Sequence, residues 1–147
     1  MTGKSDFTPE EWQLLLEGPP SAGLLVVTAQ RGGTFRETFA IAKTYTEARQ
    51  QHGASELLDA IVAEKPEFDR TRYHSAEELK EHVLPRLSGA IELLERKATS
   101  EDASAYKGFI LTLADKVANA HREDGKSVSD AEQAAIEEIS ASLGSTA

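Results

Sequence analysis

Apolar residues recur every three or four positions through most of this chain, the spacing of one helix face, and no segment alternates as a strand would. Thr8-Pro9-Glu10-Glu11 reads as a helix start, with Thr8 as N-cap, Pro9 at the first helical position and Glu11 completing a capping box. That helix carries Trp12, Leu14, Leu15 and Leu16, and Gly18-Pro19-Pro20 is expected to stop it. From Ser21 an apolar run containing Val26 and Val27 follows. Its β-branched residues suit a strand, yet a lone strand has no ladder to join, so a short, fully buried helix is expected, ended by Gly32-Gly33.

Thr34 to Gln51 reads as the next helix, with Phe35, Phe39, Ala42 and Thr46 on one face, Ile41 and Tyr45 beside them, and Gly53 closing it. Leu57, Leu58, Ile61 and Val62 mark a short helix halted by Pro66, and a polar connection runs from Glu67 to His74. Ser75 and Glu78 form a second capping box before a stripe of Leu79, Val83, Leu87, Ile91 and Leu94. Pro85 either kinks this helix or begins another at Leu84. After a break at Ala98-Thr99-Ser100 comes the cleanest stripe in the chain, made of Tyr106, Phe109, Ile110, Leu113, Val117 and Ala120. A last helix spans Asp130 to about Leu143, with Ile136, Ile139 and Leu143 inward and Gly144 as its stop. The expectation is one all-α domain over residues 1–147, a compact bundle of six or seven helices with residues 1–6 and 145–147 disordered.

Two hairpins parallel each other. Val27-Thr28-Ala29, Gly33 and Glu37 to Ile41 match Val117 to Ala120, Gly125 and Glu132 to Ile136, either as two pseudo-repeated helical pairs or as the chance likeness of helical hairpins.

Charge narrows the range of partners. The net charge is −9, and residues 99–147 hold 9 acids against 4 bases, so the last third carries −5 of it. Without a basic stripe such a chain repels phosphates, which argues against nucleic acid and anionic membrane surfaces and favours cations or basic protein partners. Cysteine is absent, which excludes disulfides, thiolate metal sites and cysteine nucleophiles. The apolar run from Ala22 to Val27 is too short to span a bilayer, and no apolar leader opens the chain, so a cytoplasmic protein is expected.

Polar groups gather in a pattern only between His121 and Glu138, where Glu123-Asp124-Gly125 runs into Ser129 and Glu132. An EF-hand loop with Gly125 at its sixth position would put Ala120 and Arg122 at ligand positions, which excludes that motif. Two readings of the acids stand side by side. Glu132 lies three residues after Ser129, where its carboxylate caps the last helix, a role worth about 1 kcal/mol, and Asp124-Gly125 is an ordinary turn. Alternatively Asp124 and Glu132 ligate a hard cation together with Ser127, Asp130 and loop carbonyls. His52, His74, His82 and His121 have no Glu three residues earlier and form no His-Glu-x-x-His, so di-iron and zincin patterns are missing. Arg31-Gly32-Gly33-Thr34 is short and lysine-free for a phosphate loop and reads as a hairpin turn.

The segment Phe109 to Leu143, about a quarter of the chain, resembles the tellurite-resistance TerB-like helical family. An apolar helix ends near Ala120, an Asp124-Gly125 turn follows, then Val128, Ser129 and Glu132, with Ala135-Ile136 and Ile139 continuing the next helix. The resemblance implies an acidic site, with Asp124 and Glu132 as metal ligands, able to hold a divalent cation such as calcium. It also implies a tie to stress responses and membrane-associated complexes. The sequence expectation is a non-enzymatic interaction or sensing module with a protein partner. The alternative is a small helical enzyme with its site in a cleft between helices.

Overall fold

A computed structural model of the chain describes residues 4–29, 35–51, 55–64, 76–122 and 130–144. After a single 3-10 turn at Lys4–Asp6 it contains α1 (Pro9–Ala29), α2 (Phe35–Gln50), α3 (Glu56–Ala63), α4 (Ala76–Lys97), α5 (Ser100–Arg122) and α6 (Asp130–Ser142). The described residues form an all-α bundle, with no strand among them. Helices α1 and α5 are the central pair: each packs against α2, α4 and α6 as well as against the other, and α5 also meets α3. One hydrophobic cluster draws residues from all six helices, including Leu15, Ile41, Ile61, Leu87, Ile110 and Ile139.

The start of α1 follows the sequence expectation. Glu11 N–H donates to Thr8 Oγ1 at 3.1 Å and Thr8 N–H to Glu11 Oε1 at 2.8 Å, the reciprocal capping box. Residues 4–6, expected to be disordered, form the 3-10 turn instead. The adjoining Phe7 anchors it, buried with its ring 6.1 Å from that of Trp12.

The expected stop at Gly18-Pro19-Pro20 is overturned, because α1 continues through both prolines to Ala29. Pro19 has no N–H to offer the carbonyl of Leu15, four residues earlier, and a buried carbonyl left bare is costly. The missing donor comes from α5, where Tyr106 Oη donates to Leu15 O at 2.8 Å. Gly18 makes this possible, since a Cβ there would collide with Tyr106 Oη. Beyond the prolines, residues 22–27 are buried and helical, as the apolar run predicts.

Helix α2 is turned from the face its apolar residues suggest. Ile41, Thr44 and Tyr45 are buried, whereas Phe39 is 61% exposed and Ala42 and Thr46 also face outward. Helix α4 runs unbroken through Pro85, which lies on its exposed side. The α5 stripe is buried from Tyr106 to Val117, and Gly144, at φ +72°, ends the last helix in the left-handed conformation that glycine adopts freely. Ile136 is only half-buried, while Ala135, Ile139 and Leu143 face inward. The Ser75 cap and the turn Arg31 to Thr34 lie outside the described residues, as does much of the pseudo-repeat.

Candidate functional site

The short helix α3 is fixed at both ends by polar groups, and its position creates a groove. Ser55 is its N-cap, with Oγ accepting from Leu58 N–H at 3.2 Å and donating to Asp102 Oδ1 at 2.7 Å. Asp102 is itself a capping residue of α5. Its N–H donates to Thr99 Oγ1 at 3.1 Å, and its other oxygen accepts from Thr99 N–H at 3.4 Å. The two helix starts therefore share one buried carboxylate. At the other end of α3, Arg49 Nε donates to Val62 O at 2.6 Å, and Trp12 Nε1 donates to the Glu64 carboxylate at 2.6 Å. In the sequence Ala98-Thr99-Ser100 reads only as a break, which misses these caps. The Thr99-x-x-Asp102 spacing was the signal that could have revealed the one on α5.

Held this way, α3 leaves a cleft of about 210 Å³ between itself, α2 and α5. Its apolar lining is Ala48 of α2, Leu58 of α3 and Phe109 of α5, the last supported from beneath by Tyr45 in an edge-to-face contact at 5.1 Å. Gly108 and Thr112 line the α5 wall. Glu47 and Lys116 form an ion pair across the rim, and Asp59 sits on the α3 side. The hydrogen bond from Lys116 holds the Glu47 carboxyl below the usual carboxylate value. Thr44 Oγ, also at the groove, donates to Ala40 O at 2.8 Å, so its hydroxyl proton is already engaged.

Two core phenols differ in their hydrogen bonding. Burial pushes the Tyr106 phenol well above the ordinary tyrosine value, with Tyr45 and Glu17 adding to the effect, so it remains a donor to Leu15 O at neutral pH. Burial also raises the Tyr45 phenol, with nearby Arg49 acting in the opposite direction. Its buried Oη has no hydrogen-bond partner among the described residues.

Of the two acids expected to ligate a cation, Asp124 lies outside the described residues, as do Ser127 and Ser129. Glu132 is in the first turn of α6 and is 0% exposed, on the same side as Ala135, Ile139 and Leu143. That side packs against α1, α4 and α5. A hard cation takes six to eight oxygens, and among the described residues no three His, Asp or Glu side chains gather to begin such a shell. Asp130 is exposed on the outer side of the same turn. His82 is half-buried on α4; His52 and His74 lie outside the described residues, and the side chain of His121 does too.

No described helix is long and apolar enough to cross a membrane. No protein-family model matches the chain, and neither a curated protein nor a solved structure matches it.

Proposed function

We propose that this chain is a non-enzymatic interaction module. Its α2–α3–α5 groove seats an amphipathic helix of a protein partner, apolar on one side and basic on its flanks. The observation that carries this reading is Gly108. Within a helix, glycine is less favourable than alanine by roughly 0.5–1 kcal/mol. Gly18 has an internal reason, since Tyr106 occupies the space of its Cβ. Gly108 has none, because a Cβ there would meet nothing within 4 Å, and that open space faces the groove. A notch of this kind lets the backbone of a second helix approach α5 closely.

Size and charge point the same way. The cleft, about 210 Å³, is smaller than the roughly 300–1,000 Å³ usual for small-molecule sites, and suits one or two apolar side chains of a larger ligand. Glu47, Asp59 and Lys116 leave the rim net negative by one charge in a chain of net charge −9, which favours a basic partner and disfavours a second copy of this chain. An enzymatic reading draws less support. Glu47 is engaged by Lys116 and held low, which suits an ion pair better than a base poised near neutral pH. Cation sensing through Asp124 and Glu132 is likewise less favoured, given the burial of Glu132. A tie to stress responses rests on the TerB-like resemblance alone.

The test is chemical-shift mapping of the ¹⁵N-labelled chain with a synthetic helical peptide bearing leucine on one face and lysine and arginine on its flanks, at physiological salt. Saturable shifts confined to Thr44–Gln51, Leu58–Asp59 and Gly108–Lys116 are expected. No shifts, or unsaturable shifts spread over the exposed acids of α4 and α6, would overturn the proposal.

A further inference from the structure

The two halves of α1 are held in different ways. Residues 22–27, beyond the prolines, are enclosed by the core, whereas the first half buries only Trp12 and Leu15 between Pro9 and Glu17. That first half is tied down by polar contacts to three other helices. Trp12 Nε1 donates to Glu64 at the end of α3 at 2.6 Å, and Leu15 O accepts from Tyr106 of α5 at 2.8 Å. Glu11 pairs with Lys97 at 2.7 Å and Glu17 with Arg86 at 2.5 Å, both on α4. Between the halves, Pro19 and Pro20 remove two successive rungs of the helix ladder, those that would end on Leu15 O and Leu16 O. Tyr106 replaces the first from outside the helix. Exposed ion pairs of this kind contribute little and are screened by salt. The first half buries fewer side chains than the second, Trp12 and Leu15 with Leu14 and Leu16 packed against the core, and the backbone between them lacks two of its own hydrogen bonds.

We infer that residues 9–17 form a strap that opens as a unit about Gly18–Pro20 while the rest of the bundle stays folded, uncovering the apolar surface beneath Trp12 and Leu15. The strap does not require peptide docking in the groove, although its opening breaks the Trp12–Glu64 bond that also holds the end of α3. Sub-global openings of this sort are seen as separate units in native-state hydrogen exchange.

The experiment is native-state exchange of the full chain over a series of sub-denaturing urea concentrations, comparing amides 13–17 with amides 22–27. Amides 13–17 are expected to exchange at least about a hundredfold faster, with a shallower urea dependence, because their opening exposes less surface. Tyr106→Phe is expected to speed amides 13–17 about tenfold or more and amides 22–27 by a clearly smaller factor. Equal exchange and equal urea slopes for the two segments in the unaltered chain would overturn the strap, whether or not the variant folds. So would an equal acceleration of both segments in Tyr106→Phe.

Discussion

Tyr106 Oη donates to the carbonyl of Leu15 at 2.8 Å, and Leu15 is the residue whose helical partner would be the N–H that Pro19 lacks. A side chain on α5 thus completes the backbone of α1. Removing that hydroxyl leaves a buried acceptor bare, a loss of about 1–3 kcal/mol. Tyr45 is as deeply buried but its hydroxyl has no partner among the described residues, so its removal relieves a desolvated group. Tyr106→Phe is expected to lower the Tm, by about 3 °C for each kcal/mol in a chain of this size, and Tyr45→Phe to leave it unchanged or raise it. Urea denaturation of the two variants checks the contrast; equal losses would contradict it.

Gly18 belongs to the same arrangement. Alanine is ordinarily the better helix residue by roughly 0.5–1 kcal/mol, yet a Cβ at Gly18 collides with Tyr106 Oη and approaches Leu87. The ring must shift, which stretches its bond to Leu15. Gly18→Ala is expected to destabilise, and in the Tyr106→Phe background to destabilise less, because the displaced hydroxyl is gone. A double-mutant cycle measures this directly, and additive losses would contradict it.

The α5 stripe from Tyr106 to Val117 was legible because its helical spacing is unbroken and every member is buried. The Thr8–Glu11 box and the Gly144 stop were legible because caps act over three or four residues. The continuity of α1 was not, since its rescue comes from a residue 91 positions away. The orientation of α2 was misjudged because Phe39, a large apolar member of the expected stripe, is left exposed together with Ala42 and Thr46. Of the groove, the sequence offered little. Leu58 and Phe109 were readable as apolar stripe members, but Ala48 and Thr112 gain a role only once α3 is placed by Ser55 and Arg49. Glu132 stood out as a polar residue, and its complete burial on the core side of α6 was not foreseen.

Acid should weaken the inter-helix ties. The Glu11 carboxyl lies below its ordinary value of 4.5, mainly through its hydrogen bond from Lys97, and Glu47 likewise through Lys116. A depressed folded-state value means that the stabilisation is present above the unfolded-state pKa and is lost as pH falls through the folded one. Both carboxylates are at the surface, so the effect is small and fades with salt. Thermal unfolding at low salt from about pH 6 down to about pH 3 is expected to show a decline that is shallower in a Lys97→Met, Lys116→Met double variant. Identical profiles would remove these pairs from the explanation.

Capping and cation binding at Glu132 predict different outcomes, and that of capping is the one expected. Glu132→Ala is expected to lower stability by about 1 kcal/mol or more, equally in chelator and in millimolar calcium. Melting curves under both conditions decide it. A calcium-dependent rise in Tm that disappears in both Glu132→Ala and Asp124→Ala would instead establish the metal site implied by the TerB-like resemblance.

The docking groove is tested most directly by Gly108→Ala, with stability and peptide affinity measured on the same protein. The added methyl meets nothing in the free chain, so the Tm is expected to rise by the equivalent of roughly 0.5–1 kcal/mol. The same methyl fills the notch, so the affinity for the leucine–lysine–arginine peptide is expected to fall about fivefold or more, which is ~1 kcal/mol. A more stable variant that binds the peptide as tightly as the unaltered chain would contradict the groove as the docking site.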